Sequence, residues 1–203
     1  MAPGIQRLYR RLRYGQPIVV VSGLPRSGTS MAMKMLEAGG VPLVVDGVRT
    51  ADADNPKGYY EFEPVKDLAR DPAKAWLPGA RGRAVKIISH LLKELPGSYN
   101  YKVILLVRHL DEVLASQAKM LTRRGEGSDT PDERMTELLG DDLWRARYLL
   151  KRAPHFDLLE LDYAQVVGDP VTAARQLDEF LGGGLDVDRM AAVVDPALYR
   201  NRA

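Results

Sequence analysis

A run of β-branched residues stops at a glycine and gives way to LPRSGTS and then MAMKMLEA. An apolar run this short and continuous fits a strand buried on both faces. Such a strand needs a layer on each side, which restricts the chain to a sheet held between helices. The strand is expected over 17–21, the turn over 23–28 and the helix over 27–38. Met31, Met35 and Ala38 share one side of that helix, and Gly39-Gly40 ends it.

The rest of the chain repeats the alternation. Val41–Val45 is expected as a second strand, 46–60 as an Asp/Gly/Pro-rich loop, and Phe62–Arg70 has weak helical periodicity. Ala84–Ser89 reads as a strand, and KVILLV at 102–107 is the most strand-like run. A helix capped by Asp111 should follow to about Leu121, then a polar loop at 123–131 that is either a lid or a plain exposed turn. Asp132–Arg152 reads as a long helix, Phe156–Leu161 as a strand, and Val171–Leu181 as an amphipathic helix ended by Gly182, Gly183 and Gly184. The expected fold is a three-layer α/β domain over 17–203, with a central parallel sheet and a P-loop-type strand–loop–helix.

Composition removes several function classes. There is no cysteine, so disulfides and thiolate chemistry are excluded. His90, His109 and His155 are not clustered, and no metal site is expected. A net charge of +2 is too small to argue for a nucleic-acid partner. No apolar run is long enough for a transmembrane segment. The first 16 residues carry Arg7, Arg10, Arg11 and Arg13 without an apolar core; they read as a solvated basic arm or short helix in preference to a membrane or polyanion contact, and not as a secretory signal.

The first loop has the makings of an anion site. A loop between a buried strand and a helix presents unpaired N–H groups beside the positive end of the helix dipole. Gly23 and Gly28 permit close approach, Thr29 and Ser30 add hydroxyls, and Arg26 adds a guanidinium. A triphosphate-binding loop has a lysine after its second glycine. Thr29 stands there instead, which suits a phosphate or sulfate better than a triphosphate.

LPRSGTS after a strand resembles the 5′-phosphosulfate loop of the sulfotransferases that use PAPS (3′-phosphoadenosine 5′-phosphosulfate). That loop carries no Walker lysine. VILLVRHLDEVLASQ resembles the family's 3′-phosphate element, with Arg108 at the strand end and Ser116 eight residues on. An arginine fork at the carboxyl end of a strand suits a phosphate. LLELDYAQVVGDP resembles the stretch in which a tyrosine, here Tyr163, lies close to the nucleotide. The resemblance covers about residues 17–182. It implies a metal-free, cytoplasmic PAPS-dependent sulfotransferase whose nucleotide contacts are Pro25, Arg26, Ser27, Gly28, Thr29, Ser30, Arg108, Ser116 and Tyr163.

Such a reaction needs a general base. VKIISHLLKELP resembles the strand end that carries the family's catalytic histidine, here His90. It differs in having Ile88 where the family has lysine, with Lys86 two residues further back. Glu61, in NPKGYYEFEP, is the other candidate, and Tyr59 and Tyr60 either line an acceptor pocket or pack the loop. The family's C-terminal Arg-Lys-Gly is absent; Arg200 or Arg202 either takes its place or belongs to a loose tail. A degenerate nucleotide or small-molecule kinase and a non-catalytic nucleotide-binding module are the rival readings. Sugar, lipid, peptide and small-molecule acceptors, and any oligomeric state, stay open.

Overall fold

The computed structural model describes residues 3–47, 60–125 and 131–199. Strands β1 (Ile18–Gly23), β2 (Ala84–Lys86), β3 (Tyr101–Val107) and β4 (Phe156–Asp162) form one parallel sheet in the order β2-β1-β3-β4. The helices are α1 (Pro3–Tyr14), α2 (Thr29–Ala38), α3 (Leu110–Arg124), α4 (Asp132–Arg152), α5 (Tyr163–Gly168), α6 (Pro170–Leu181) and α7 (Val187–Ala192). This is the expected three-layer α/β architecture.

The VVV run explains the layering. Every residue of β1 is buried, and alternate residues point to opposite faces. Ile18 and Val20 join Val103 and Leu105, and Leu143, Ala146 and Leu150 of α4. Val19 and Val21 join Ile104 and Leu106, Met33 and Leu36 of α2, and Ala174 and Leu177 of α6. Burying one such side chain stabilises the fold by roughly 1.5–3 kcal/mol.

Several expected elements change: Phe62–Arg70, read with weak helical periodicity, forms only a 3₁₀ turn at Glu63–Val65. Val41–Val45 is not a strand: it makes a single parallel bridge, Leu43 to Ala84. Pro42 has no N–H to offer a ladder, and only its carbonyl is used, by Ala84. The Ala84–Ser89 strand stops at Lys86. Ile87 N–H still donates to Val21, but Ser89 opens a 3₁₀ turn to Glu94, held to α4 by its hydroxyl on Asp142. Helix α3 begins before Asp111, with His109 at its N-cap, because only Arg108 and His109 separate it from β3. Asp111 falls in the first turn, where a carboxylate complements the helix dipole.

All strands run one way, so the sheet has an amino edge and a carboxyl edge. From β1 the chain steps out to β2, then returns past β1 to β3 on the other side. The carboxyl ends of β1 and β3 therefore flank the topological switch point, where open α/β sheets bind ligands.

Candidate functional site

Strand register brings the two sequence motifs together. Gly23 pairs with Leu106, so the loop leaving β1 starts beside Val107 and Arg108. The loop is compact: Ser27 N–H donates to the Leu24 carbonyl at 3.2 Å. Arg26 holds a left-handed backbone, φ 67°. That conformation costs a non-glycine residue roughly 1–2 kcal/mol.

Contacts from Arg108, just past β3, and from α3 hold Arg26 there. Arg108 Nη1 donates to the Arg26 carbonyl at 3.1 Å. Arg26 Nε donates to Ser116 Oγ at 3.0 Å. The LPRSGTS loop and the element that carries Arg108 and Ser116 are thus interlocked through both of their arginines.

Gly28 is the N-cap of α2, and among the described residues no side chain caps that helix. The first-turn N–H groups of a helix have no intrahelical acceptor and face out of its start. Thr29 and Ser30 begin the helix half-buried, and Pro25 is exposed. Ser27 is buried, and neither its hydroxyl nor that of buried Ser22 has a hydrogen-bond partner among the described residues. A Cβ on Gly28 would lie 2.4 Å from Tyr163 Cδ2. Tyr163 therefore forms the wall of the loop.

Arg108 is 8% exposed and its partner Glu112 6%. Arg108 Nε donates to Glu112 Oε2 at 2.7 Å, and the Tyr199 hydroxyl donates to Glu112 Oε1 at 2.7 Å. The guanidinium lies over two rings, with its carbon 4.4 Å from the Tyr163 centroid and 5.4 Å from that of Tyr199. The rings meet edge to face at 5.1 Å. Burial pushes the Tyr163 phenol up, with Arg108 opposing; the hydrogen bond to Glu112 pushes Tyr199 up. Both phenols are neutral at pH 7.

A second polar pair sits one strand over. Lys86 ends β2 opposite Val21, and its Nζ lies 3.7 Å from Glu61 Oε1. Both side chains are largely buried. His90 is exposed on the 3₁₀ turn, off the strand face that carries Lys86. Tyr60 hydrogen-bonds Glu37 of α2 at 2.9 Å, and burial followed by that bond pushes its phenol up to about 12. It packs the loop onto α2. Tyr59, Arg200, Arg202 and residues 126–130 of the expected lid lie outside the described residues.

Of the expected nucleotide contacts, the structure brings together Arg26, Ser27, Gly28, Arg108, Ser116 and Tyr163. Two members of the network were missed. Glu112 was legible as the i+4 partner of Arg108. Tyr199 arrives from the far end of the chain, and no local pattern marks it.

Several solved structures share this fold. Mouse sulfotransferase SULT7A1, solved in complex with PAP, matches with a TM-score of 0.54 at 18% identity, over 88% of this chain and 62% of its own. The sulfotransferase domain from the curacin biosynthetic pathway matches with a TM-score of 0.53 at 14% identity, over 93% of this chain and 92% of its own. Sulfotransferase STF1 from Mycobacterium tuberculosis H37Rv gives 0.51 at 15% identity, over 95% and 74%. This chain therefore spans less than two-thirds of the mouse enzyme. No protein-family model matches the chain, and no curated protein matches it. Its four parallel strands, flanking helices and switch-point loop make a sulfotransferase-type fold.

Proposed function

We propose that the chain is a PAPS-dependent sulfotransferase of the cytoplasm, transferring a sulfuryl group to a hydroxyl or amine acceptor. The observation that carries this reading is the interlock of Arg26, Ser116 and Arg108 at the switch point. It joins a helix start that no described side chain caps to a buried arginine in one site. The Ser27 hydroxyl at that loop, without a partner among the described residues, fits an oxyanion ligand. The mouse structure with PAP gives further support.

When bound, PAPS supplies the activated sulfuryl group. The loop N–H groups, with Ser27, Thr29 and Ser30, hold its 5′-phosphosulfate. Arg26 would offset the negative charge that the phosphate gains when it leaves. Arg108 and Ser116 hold the 3′-phosphate, and Tyr163 walls the loop. Arginine supplies the positive charge that a metal gives in phosphoryl transfer. Glu61 is the base this reading favours, because Lys86 positions it at the carboxyl end of the strand beside the loop. It takes the acceptor's proton as the acceptor oxygen or nitrogen bonds to sulfur.

Calorimetry of PAP against Mg-ATP tests the reading. Metal-independent PAP binding is expected, about tenfold weaker in Arg26→Ala and Ser116→Ala. Glu112→Gln should tighten it, since a carboxylate that shares Arg108 with the phosphate is removed. Preference for Mg-ATP, or no change in the variants, overturns it. In turnover assays Glu61→Gln should abolish transfer with PAP binding intact; loss in His90→Ala instead reassigns the base.

A further inference from the structure

Helix α1 is inside out. Its apolar residues, Ile5, Leu8, Tyr9 and Leu12, fall at i, i+3, i+4 and i+7, the spacing of a single stripe. In a globular protein that stripe normally faces the core. Here all four residues are exposed, Leu8 at 60% and Leu12 at 79%. Arg10, on the opposite side, faces the body. Its Nε donates to Asn100 Oδ1 at 2.9 Å, and its Nη2 to the carbonyls of Gly97 at 2.9 Å and Tyr99 at 2.8 Å. Asn100 Nδ2 returns a hydrogen bond to the Arg10 carbonyl at 2.9 Å. The helix is therefore fastened by its polar side, and its apolar side is held outward.

We propose that α1 is a peripheral membrane-contact element, laying this stripe on an anionic lipid surface. The charge pattern selects the occupant. Arg11 and Arg13 are exposed on the two sides of the stripe, and α1 contains no acidic residue. A basic amphipathic helix with an apolar stripe lies in the plane of a bilayer interface. Its cations then sit at the depth of the lipid phosphates and carboxylates. A second copy fits less well. Packing stripe to stripe would bring the two sets of arginines together with no carboxylate on either helix to offset them.

The orientation adds content. Asn100 immediately precedes β3, and α1 leads into β1, so the helix lies at the amino edge of the sheet. The Arg26–Arg108 site lies at the carboxyl edge. A surface that holds α1 leaves the site turned toward solvent. The contact is a tether, and it does not deliver a lipid acceptor to the site.

Vesicle flotation tests the proposal. The intact chain should float with vesicles of roughly one-third phosphatidylserine and not with pure phosphatidylcholine. Leu8→Gln/Leu12→Gln should cut binding by at least about tenfold, and Arg11→Gln/Arg13→Gln should remove most of its salt dependence. These side chains are exposed, so thermal unfolding should be unchanged and serves as the control. Binding that ignores lipid charge, or no binding, overturns the proposal. So does a wild-type dimer in sedimentation velocity that the leucine variant breaks, because the stripe then belongs to a second copy.

Discussion

The two edges of the sheet handle arginine differently. At the carboxyl edge Arg108 is buried against a carboxylate and two tyrosine faces, and also fixes the backbone of Arg26. At the amino edge Arg10 fans out to one asparagine and two loop carbonyls. The first arrangement closes a charged network in which each member depends on the others. The second fastens one helix to neutral groups, an asparagine amide and two backbone carbonyls. A closed network fails sharply when one member is removed, whereas a neutral latch fails gradually.

Arg108→Ala gives the sharpest break, because it removes the guanidinium buried against Glu112 and the two tyrosine rings. The expected loss is about 3–5 kcal/mol in urea unfolding at neutral pH. Replacing both partners, Arg108→Met with Glu112→Leu, should recover more than half of it. A single-variant loss below about 1 kcal/mol would put the pair in the same class as Arg10 and erase the contrast.

Gly28→Ala is next. It places a side chain at φ 97° and a Cβ against the Tyr163 ring. The expected loss is about 2–3 kcal/mol, a fall in Tm of roughly 5–10 °C for a domain of this size. Adding Tyr163→Ala should relieve the clash but not the backbone strain, so recovery should be partial.

The smallest effect belongs to the amino edge. His155 packs against Tyr101 and Phe156, and burial, then the charge of Arg10, pushes its imidazole down. A lowered imidazole favours the neutral form in the fold. Its contribution is complete above the unfolded value of about 6.5 and is lost as pH falls through the folded value. Thermal unfolding between neutral and mildly acid pH should show this decline, and His155→Phe should flatten it. An unchanged slope would remove His155 as its source.

What could be read from sequence followed from local chemistry. β1 and β3 are continuous apolar runs, and α4 shows its full length through Asp and Glu in its first turn and Lys and Arg in its last. Arg26 and Arg108 were legible because glycine spacing and a strand end mark them. Elsewhere tertiary contacts decided. Val41–Val45 has strand composition, but Pro42 interrupts its ladder. Ser89 has no local reason to leave the sheet until Asp142 takes its hydroxyl. The outward stripe of α1 was readable as periodicity, but its direction depends on Asn100, far along the chain. Tyr199 reaches Glu112 across a similar gap, and no periodicity encodes that.

The interlock of the two arginines also constrains the order of folding. The bond that holds Arg26 in its left-handed conformation comes from a residue 82 positions later. The pairing that positions it, Gly23 with Leu106, is as distant. The loop's own sequence supplies the Ser27-to-Leu24 hydrogen bond, but the contact from Arg108 forms only after β3 has docked. Parallel pairings of such separation carry a large loop-closure entropy before any contact compensates, so they form slowly. The loop's conformation should thus be among the last features acquired on refolding.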